Sequence, residues 1–145
     1  GGSSLKCLHM TGNKIKSTGV KAITKAIVET DTAVVDELHL GGTFMGSEGC
    51  LSISNMLLSN NSMRVLSLSN NDLVDKDIGL LAQSISRNSE CPLEAIDLSF
   101  NSITCIGTEA LMNAIWGSKT LKQLRLDNNR IKDRGAQLIT VVLTS

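Results

Sequence analysis

Aliphatic residues recur along this chain in one spaced pattern, and a helical pattern follows each occurrence. With other apolar residues allowed at some leucine positions, L-x-x-L-x-L-x-x-N-x-L occurs five times, with first positions at residues 5, 35, 63, 93 and 121. Repetition at a fixed period of about 20 to 50 residues is typical of solenoids. The alternation inside each copy predicts a strand of about three to five residues whose leucines point inward.

The residues after each copy predict an α-helix. Six residues beyond the asparagine position stand Gly19, Gly49, Asp77, Gly107 and Gly135. Apolar residues then recur at i, i+1, i+4 and i+5, which share one face of a helix. In the first repeat this predicted buried face consists of Ala22, Ile23, Ala26 and Ile27. Because one strand and one helix cannot bury their apolar faces alone, we expect the units to stack, with parallel strands on the concave side and the wider helices on the convex side.

The asparagine of the pattern is present in four copies and absent from one. It recurs as Asn13, Asn71, Asn101 and Asn129, and Thr43 takes its place in the second copy. A buried asparagine can satisfy backbone groups that a bend leaves unpaired. Since the threonine hydroxyl cannot span two such groups, we expect the second repeat to be looser than the others.

On these residues the sequence resembles the leucine-rich repeats of the ribonuclease-inhibitor type, which include the repeat regions of NOD-like receptors and of the activator of the Ran GTPase. The stretches LEAIDLSFNSITCIGTEALMNAI and LKQLRLDNNRIKDRGAQLI carry the resemblance most clearly, and Thr43 and Asp77 depart from the family pattern. The resemblance implies an α/β fold, a right-handed, horseshoe-shaped solenoid of five repeats. It specifies an architecture rather than an activity.

The predicted domain organisation is simple. Residues 1–4 are interpreted as a linker or tag remnant, and residues 5–145 as one leucine-rich-repeat domain. The repeat pattern runs to both ends with no polar cap, which leads us to expect a fragment of a longer protein, or ends that flanking repeats or another chain cover.

Inward-pointing leucines place the residues between them on the concave face, where we look for binding residues. Asp97 and Arg125 are expected to meet on neighbouring strands, either as a surface pair of about 0.2–1 kcal/mol or as an anchor for a charged partner. Phe100 is the best single contact candidate, because aromatics beside charges often dominate binding energy; alternatively it folds back over the turn and covers the fourth repeat. The candidate protein-binding residues are Glu37, His39, Asp97, Phe100, Arg125 and Asp127.

Candidate chemistry is sparse. The four cysteines are Cys7, Cys50, Cys91 and Cys105. They show no C-x-x-C spacing, and we interpret them as reduced thiols in a cytosolic or nuclear setting. His9 beside His39, with Glu37 and Cys7 close by, supplies residue types that bind metals, but no spacing fixes their geometry, and we expect neither a metal nor a cofactor. The absence of G-x-S-x-G, H-E-x-x-H and a phosphate-binding glycine loop argues against an enzyme.

Charge is balanced overall but not along the chain. Residues 1–28 carry +5, residues 29–118 carry −9 and residues 119–145 carry +4. The acidic middle favours a protein partner with a basic stripe and disfavours nucleic acid. Hydrophobic residues make up 41% and aromatic residues 2%, so an aliphatic core is expected. With no apolar run of about 18 residues, we expect a soluble, cytoplasmic protein that does not bind membranes.

The leading interpretation is therefore a non-catalytic module or scaffold that binds a protein through its concave face. Two alternatives follow from the resemblance: a GTPase-activating domain like the Ran regulator, and the sensing domain of a NOD-like receptor. The sequence contains no nucleotide-binding segment, acidic tail or coiled coil that would decide between them.

Overall fold

The computed structural model describes residues 4–30 and 34–144. Most of the predicted linker, residues 1–3, and the last residue of the predicted domain lie outside the described part of the chain. Within it, strands and helices alternate in five units: β1 (Cys7–His9), α1 (Lys16–Glu29), β2 (Glu37–His39), α2 (Gly46–Leu57), β3 (Val65–Ser67), α3 (Asp75–Arg87), β4 (Ala95–Asp97), α4 (Cys105–Ile115), β5 (Gln123–Arg125) and α5 (Lys132–Leu143).

All five strands form one parallel sheet in the order β1-β2-β3-β4-β5. Each helix packs against the next along the chain, so the helices form a second layer beside the sheet. Equivalent positions of successive repeats are paired, for example Leu38 with Leu66 and Leu66 with Ile96. The predicted solenoid of five strand–helix repeats, with its sheet on the concave side, is confirmed.

The core lies between the two layers and is aliphatic, as predicted. The central residues of β2, β3 and β4, which are Leu38, Leu66 and Ile96, are fully buried, while the residues on either side of each are partly exposed. The inward orientation predicted for these positions is confirmed. Both phenylalanines of the chain and its one tryptophan lie at the surface instead. No helix among the described residues has the length and hydropathy needed to cross a bilayer.

The predicted apolar face is buried or partly buried in α2, α3 and α4, whereas in α1 the prediction fails at two of its four positions. In α1 the buried residues are Val20, Thr24 and Ile27, whereas Ala22 and Ala26 are exposed. Gly19 packs closely against Ile15 in the loop before α1, and a side chain at this position would clash with Ile15. Thr24 is buried, and its hydroxyl donates to the carbonyl of Lys21 in its own helix.

Asp77, where the other repeats have glycine, changes the start of α3 without disturbing the fold. Its side chain is buried, and its Oδ2 accepts a hydrogen bond of 2.9 Å from the N–H of Val74. Val74 is extended, with φ −116° and ψ 173°, whereas Ile15 before α1 is helical. The aspartate thus binds a backbone donor at its own helix start.

The buried asparagines connect each repeat to the one before it. Oδ1 of Asn101 accepts hydrogen bonds from the N–H groups of Asn71 and Leu73, at 3.1 and 3.0 Å. Oδ1 of Asn71 likewise accepts from the N–H groups of Thr43 and Met45, at 3.1 and 3.3 Å. An asparagine therefore satisfies the backbone of the preceding repeat as well as its own.

This direction corrects the expectation about Thr43. The second repeat is not loosened, because Asn71 supplies its missing amide and the Thr43 hydroxyl donates 2.8 Å to the carbonyl of Leu40. The absence of an asparagine at position 43 affects the first repeat instead. The N–H groups of Asn13 and Ile15, which an asparagine at position 43 would bind, form local bonds to the carbonyls of Met10 and Asn13 instead.

Candidate functional site

The parallel register brings the predicted concave residues into rows across the sheet. His9 pairs with His39, and Asp97 pairs with Arg125, in the ladder that continues through Ser67. The candidates separate into two groups, which we name by position. The N-terminal cluster consists of Cys7, His9, Glu37 and His39, and the C-terminal cluster of Asp97, Phe100, Arg125 and Asp127. Strand β3 lies between them, so they are about 10 Å apart at the level of the strands.

A shallow groove separates the two clusters. Its volume is ≈ 240 Å³, and its lining extends from His39 on β2 to Arg125 on β5. The residues at its centre include Val65, Ser67 and Ala95, which have small side chains. This face of the sheet therefore carries a depression between the two clusters.

In the C-terminal cluster, Arg125 stands between two carboxylates. Its Nη1 lies 4.0 Å from Oδ2 of Asp97, and its Nε lies 3.2 Å from Oδ2 of Asp127. The other carboxylate oxygen of Asp97, Oδ1, accepts hydrogen bonds from the N–H and the hydroxyl of Ser99 at 2.9 and 2.6 Å. With half of the Arg125 side chain in solvent, these pairs contribute about 0–1 kcal/mol, and the guanidinium stays accessible.

Phe100 is exposed and lies in a strained backbone conformation. Its φ is 55°, in the left-handed region, and 55% of its surface is accessible. The alternative that it folds back to cover the fourth repeat is therefore wrong. The equivalent residues of the other repeats have φ between 53° and 80°, and all are glycine or asparagine: Gly12, Gly42, Asn70 and Asn128. A bulky side chain costs about 1–2 kcal/mol in this conformation.

Phe44 is an exposed aromatic that sequence reasoning missed. It lies in the loop between β2 and α2 with φ 59° and is 62% accessible. Its position in the repeat lies outside the places assigned to the concave face, so the pattern drew no attention to it. Both phenylalanines follow the carboxyl ends of parallel strands, and these ends meet at the same edge of the sheet. The available signal was composition, since the chain has only two phenylalanines.

The N-terminal cluster brings four different donor atoms together. The Cys7 thiol donates to Oε2 of Glu37 at 3.3 Å, and its Sγ lies 3.0 Å from Nε2 of His9. Oε2 of Glu37 lies 3.6 Å from Nε2 of His39, and the two imidazole rings are stacked with their centroids 4.0 Å apart. The four donor atoms all lie within 4.8 Å of one another. The sequence predicted that these four side chains lie close together, and the structure adds the distances between them.

The surroundings of Cys7 keep its thiol protonated. Partial removal from water raises the pKa of the Cys7 thiol, and so do the hydrogen bond to Glu37 and the negative charges of Glu37 and Asp36. A thiol with a raised pKa is a weak nucleophile at neutral pH. The shift is opposite in direction to the lowered pKa of an activated cysteine nucleophile.

The four cysteines, all of which lie among the described residues, form no disulfide bonds. Their reduced state in a cytosolic or nuclear setting stays a prediction. Burial, followed by the negative charge of Asp77, raises the pKa of the Cys50 thiol to about 12. Burial also raises the pKa of Cys91. These two thiols are structural and unreactive at neutral pH.

A further charged feature that the sequence analysis missed lies at the amino edge of the sheet. The residues before each strand alternate in charge, and Glu94 accepts hydrogen bonds from Arg64 at 3.0 Å and from Lys122 at 3.3 Å. These bonds hold the pKa of the Glu94 carboxyl below its ordinary value, and the hydrogen bond to Glu94 raises the pKa of Arg64. The edge opposite the phenylalanines is therefore occupied by internal ion pairs.

The sequence of this chain is similar to that of several known proteins. The sequence profile described as Leucine Rich repeat matches residues 3–23, 59–82 and 117–139. The chain is 31% identical over 140 residues to the NACHT, LRR and PYD domains-containing protein 5 of Bos taurus, covering 97% of this chain and 13% of that protein. It is 27% identical over 136 residues to the ribonuclease inhibitor of Sus scrofa, covering 94% of this chain and 29% of the inhibitor.

A solved structure supports the same architecture. The fold matches Leiomodin-1 Actin-Binding Site 2 with a TM-score of 0.71 and 19% sequence identity, over 86% of this chain and 69% of that one. At that identity the match concerns the fold alone. The chain spans 13% of the length of the bovine NACHT relative and 14% of the related protein 14 of Mus musculus, so those proteins contain much that has no counterpart in these residues.

Proposed function

Because this chain is built of leucine-rich repeats of the ribonuclease-inhibitor type, we propose that it is a non-catalytic interaction module that binds a protein partner through its concave face and the edge carrying Phe100. Repeats of this family generally serve protein binding. The sheet is a preformed surface, which lowers the ordering cost of association.

The observation that carries the proposal is the strain at Phe100. Four repeats place glycine or asparagine at this left-handed position, and only the fourth repeat places a large apolar side chain there, in solvent. Strain of this kind persists at functional sites, where another gain offsets its cost. An exposed aromatic beside Arg125 and Asp127 has the composition of an interface centre, since aromatics and arginine are enriched there.

The charges indicate what kind of surface the partner presents. Asp97 and Asp127 flank one exposed guanidinium, and the middle of the chain carries −9. A partner with a basic stripe complements this face, with an acidic group of its own opposite Arg125. The same negative charge disfavours nucleic acid.

Two further points support a binding role over catalysis and indicate a compartment. The raised pKa of the Cys7 thiol leaves the one cysteine–histidine neighbour pair without a thiolate nucleophile. Four free thiols suit a reducing environment, and we place the protein in the cytoplasm on that ground.

A specific observation favours one alternative within the same class of function. The NACHT, LRR and PYD relatives match 94–97% of this chain, so these repeats can serve as the sensing region of a larger receptor of that kind. The GTPase-activating alternative stays a prediction. It requires the chain to raise single-turnover hydrolysis by a small GTPase, and an unchanged rate across a panel would remove it.

Site-specific photocrosslinking tests the proposed binding face. A photoreactive phenylalanine derivative is placed at position 100 or, as the matched control, at position 106, where the exposed Ile106 lies on α4. We expect a discrete crosslinked protein from position 100 that Arg125→Glu weakens, and little product from position 106. Equal products from both positions, or a product from position 106 alone, would move the binding face to the helices.

A further inference from the structure

The geometry points to a zinc site in the N-terminal cluster, formed by Sγ of Cys7, Nε2 of His9, Oε2 of Glu37 and Nε2 of His39. The site lies on the same face of the sheet as the groove, whose lining includes His39. It depends on the pairing of β1 with β2, which sets Cys7 opposite Glu37 and His9 opposite His39 on the same face of the sheet.

Three separations between the donor atoms are close to those of a tetrahedral zinc site, and all four donor atoms lie within 4.8 Å of one another. Zinc binds sulfur at about 2.3 Å and nitrogen or oxygen at about 2.0–2.2 Å, so two donors of a tetrahedral site lie about 3.3–3.8 Å apart. Here Sγ of Cys7 lies 3.3 Å from Oε2 of Glu37, and that oxygen lies 3.6 Å from Nε2 of His39. The distance from Sγ to Nε2 of His9 is 3.0 Å, which is slightly short. Zinc binding therefore requires the four side chains to adjust their rotamers around the ion.

The state of His39 supports the assignment. Its Nε2 atom is buried, and it has no hydrogen-bond partner among the described residues. A buried polar nitrogen without a partner is costly and uncommon in folded proteins. The stacked rings of His9 and His39 are nearly parallel, at 14°, so they must tilt to direct both nitrogens at one ion. Coordination would then give the unpaired nitrogen its partner.

The set of donors selects the class of metal. One sulfur, two imidazole nitrogens and one carboxylate oxygen suit a borderline ion such as Zn²⁺, whereas Mg²⁺ and Ca²⁺ prefer oxygen donors alone. When the Zn–S bond forms, the S–H bond breaks and its proton passes to solvent. The thiolate and the carboxylate then balance the two positive charges of the ion.

Four protein ligands close a tetrahedral site, which is the mark of a structural rather than a catalytic zinc. Its place in the fold indicates what it would stabilise. The first repeat lacks the inter-repeat amide, because Thr43 stands where the other repeats have asparagine. A zinc ion bound by two residues of β1 and two of β2 would add a link between the strands of the two repeats that lack this amide.

Cobalt provides the spectroscopic test. The metal-free 145-residue chain is titrated with Co²⁺, and we expect one equivalent to produce the visible bands of tetrahedral cobalt and a sulfur-to-cobalt charge-transfer band. Zn²⁺ should then displace the cobalt and raise the melting temperature of the chain, and a chelator should reverse both effects. A flat titration, or bands of octahedral cobalt only, would overturn the assignment.

Three variants separate this site from adventitious binding. Cys7→Ser should abolish the charge-transfer band. His9→Ala, a change at an exposed ring, should weaken Zn²⁺ binding by more than about 100-fold, beyond the roughly 10–100-fold loss from removing an outer hydrogen-bond partner. Cys105→Ser removes a thiol outside the cluster and should match the unmodified chain. A band that survives Cys7→Ser, or disappears equally in Cys105→Ser, would refute the proposal; circular dichroism checks that each variant is folded.

Discussion

Replacing Asn71 with alanine should destabilise the chain far more than the same replacement at Asn13, although both residues occupy the same place in the repeat. Oδ1 of Asn71 accepts hydrogen bonds from the N–H groups of Thr43 and Met45. Asn71 is buried, whereas Asn13 is exposed and donates one side-chain hydrogen bond, to the carbonyl of Met10. The pair of variants therefore compares a buried asparagine that bonds to the preceding repeat with an exposed asparagine that donates to its own repeat.

The size of the expected loss in unfolding free energy depends on which backbone groups lose their last hydrogen-bond partner when Asn71 is replaced. Nδ2 of Asn71 donates to three carbonyls, and each keeps another donor: Leu40 keeps the Thr43 hydroxyl, Leu68 keeps Nδ2 of Asn101, and Ser69 keeps the N–H of Gly42. The two N–H groups on Oδ1 have no replacement acceptor among the described residues. At about 1–3 kcal/mol for each buried donor left unpaired, Asn71→Ala should cost about 2–6 kcal/mol.

Urea denaturation followed by circular dichroism measures both variants. We expect the free energy of unfolding to fall by about 2–6 kcal/mol for Asn71→Ala and by less than about 1 kcal/mol for Asn13→Ala, with similar dependence on urea concentration. Equal losses in the two variants, or a loss below about 1 kcal/mol for Asn71→Ala, would show that the buried amide does not join the repeats.

Three further outcomes are expected from the same denaturation assay. Phe100→Asn should raise the unfolding free energy by about 1 kcal/mol, because asparagine tolerates φ near 55°. A loss of stability would show that the backbone at Phe100 is not strained. Thr43→Asn should add about 1 kcal/mol by offering an amide oxygen to the first repeat, and no gain would mean that the local bonds there suffice. Partial burial raises the pKa of Asp75, but hydrogen bonds from Thr104 and Gly107 outweigh this effect and hold the pKa below 3.8. The ionised Asp75 therefore stabilises the folded chain above about pH 5, and this stabilisation is lost as the pH falls through the folded pKa. Asp75→Asn should therefore flatten the decline of stability below about pH 4, and an unchanged decline would contradict this.

Regular features of the chain could be predicted from sequence, because they depend on periodicity. The strand positions, the parallel order and the inward leucines such as Leu66 follow from a repeat that cannot bury its apolar face alone. The buried helix face was predicted in part: Ala22 and Ala26 are exposed in α1, and the buried Thr24 and Ser54 were not recognised because they count as polar in a hydropathy pattern. Their hydroxyls bond to carbonyls of their own helices, which a pattern does not reveal.

Features that depend on contacts between repeats were harder to predict. Thr43 marked an irregular place correctly, but only the hydrogen-bond direction shows that its effect falls on the first repeat. The row of His9 and His39 follows from register, whereas the approach of Cys7 and Glu37 to within 3.3 Å depends on side-chain rotamers. Phe44 was missed because its loop lies outside the regular strand positions.

The binding affinity of Phe100→Asn for the protein crosslinked from position 100, measured against the unmodified chain, tests the proposed binding face most directly. Truncation of an aromatic anchor at an interface centre commonly costs 2 kcal/mol or more, so we predict a loss of affinity of about 30-fold or greater. The loss should occur in a variant that is at least as stable as the original, because the substitution relieves the backbone at φ 55°. Unchanged affinity in a folded Phe100→Asn variant would contradict the account.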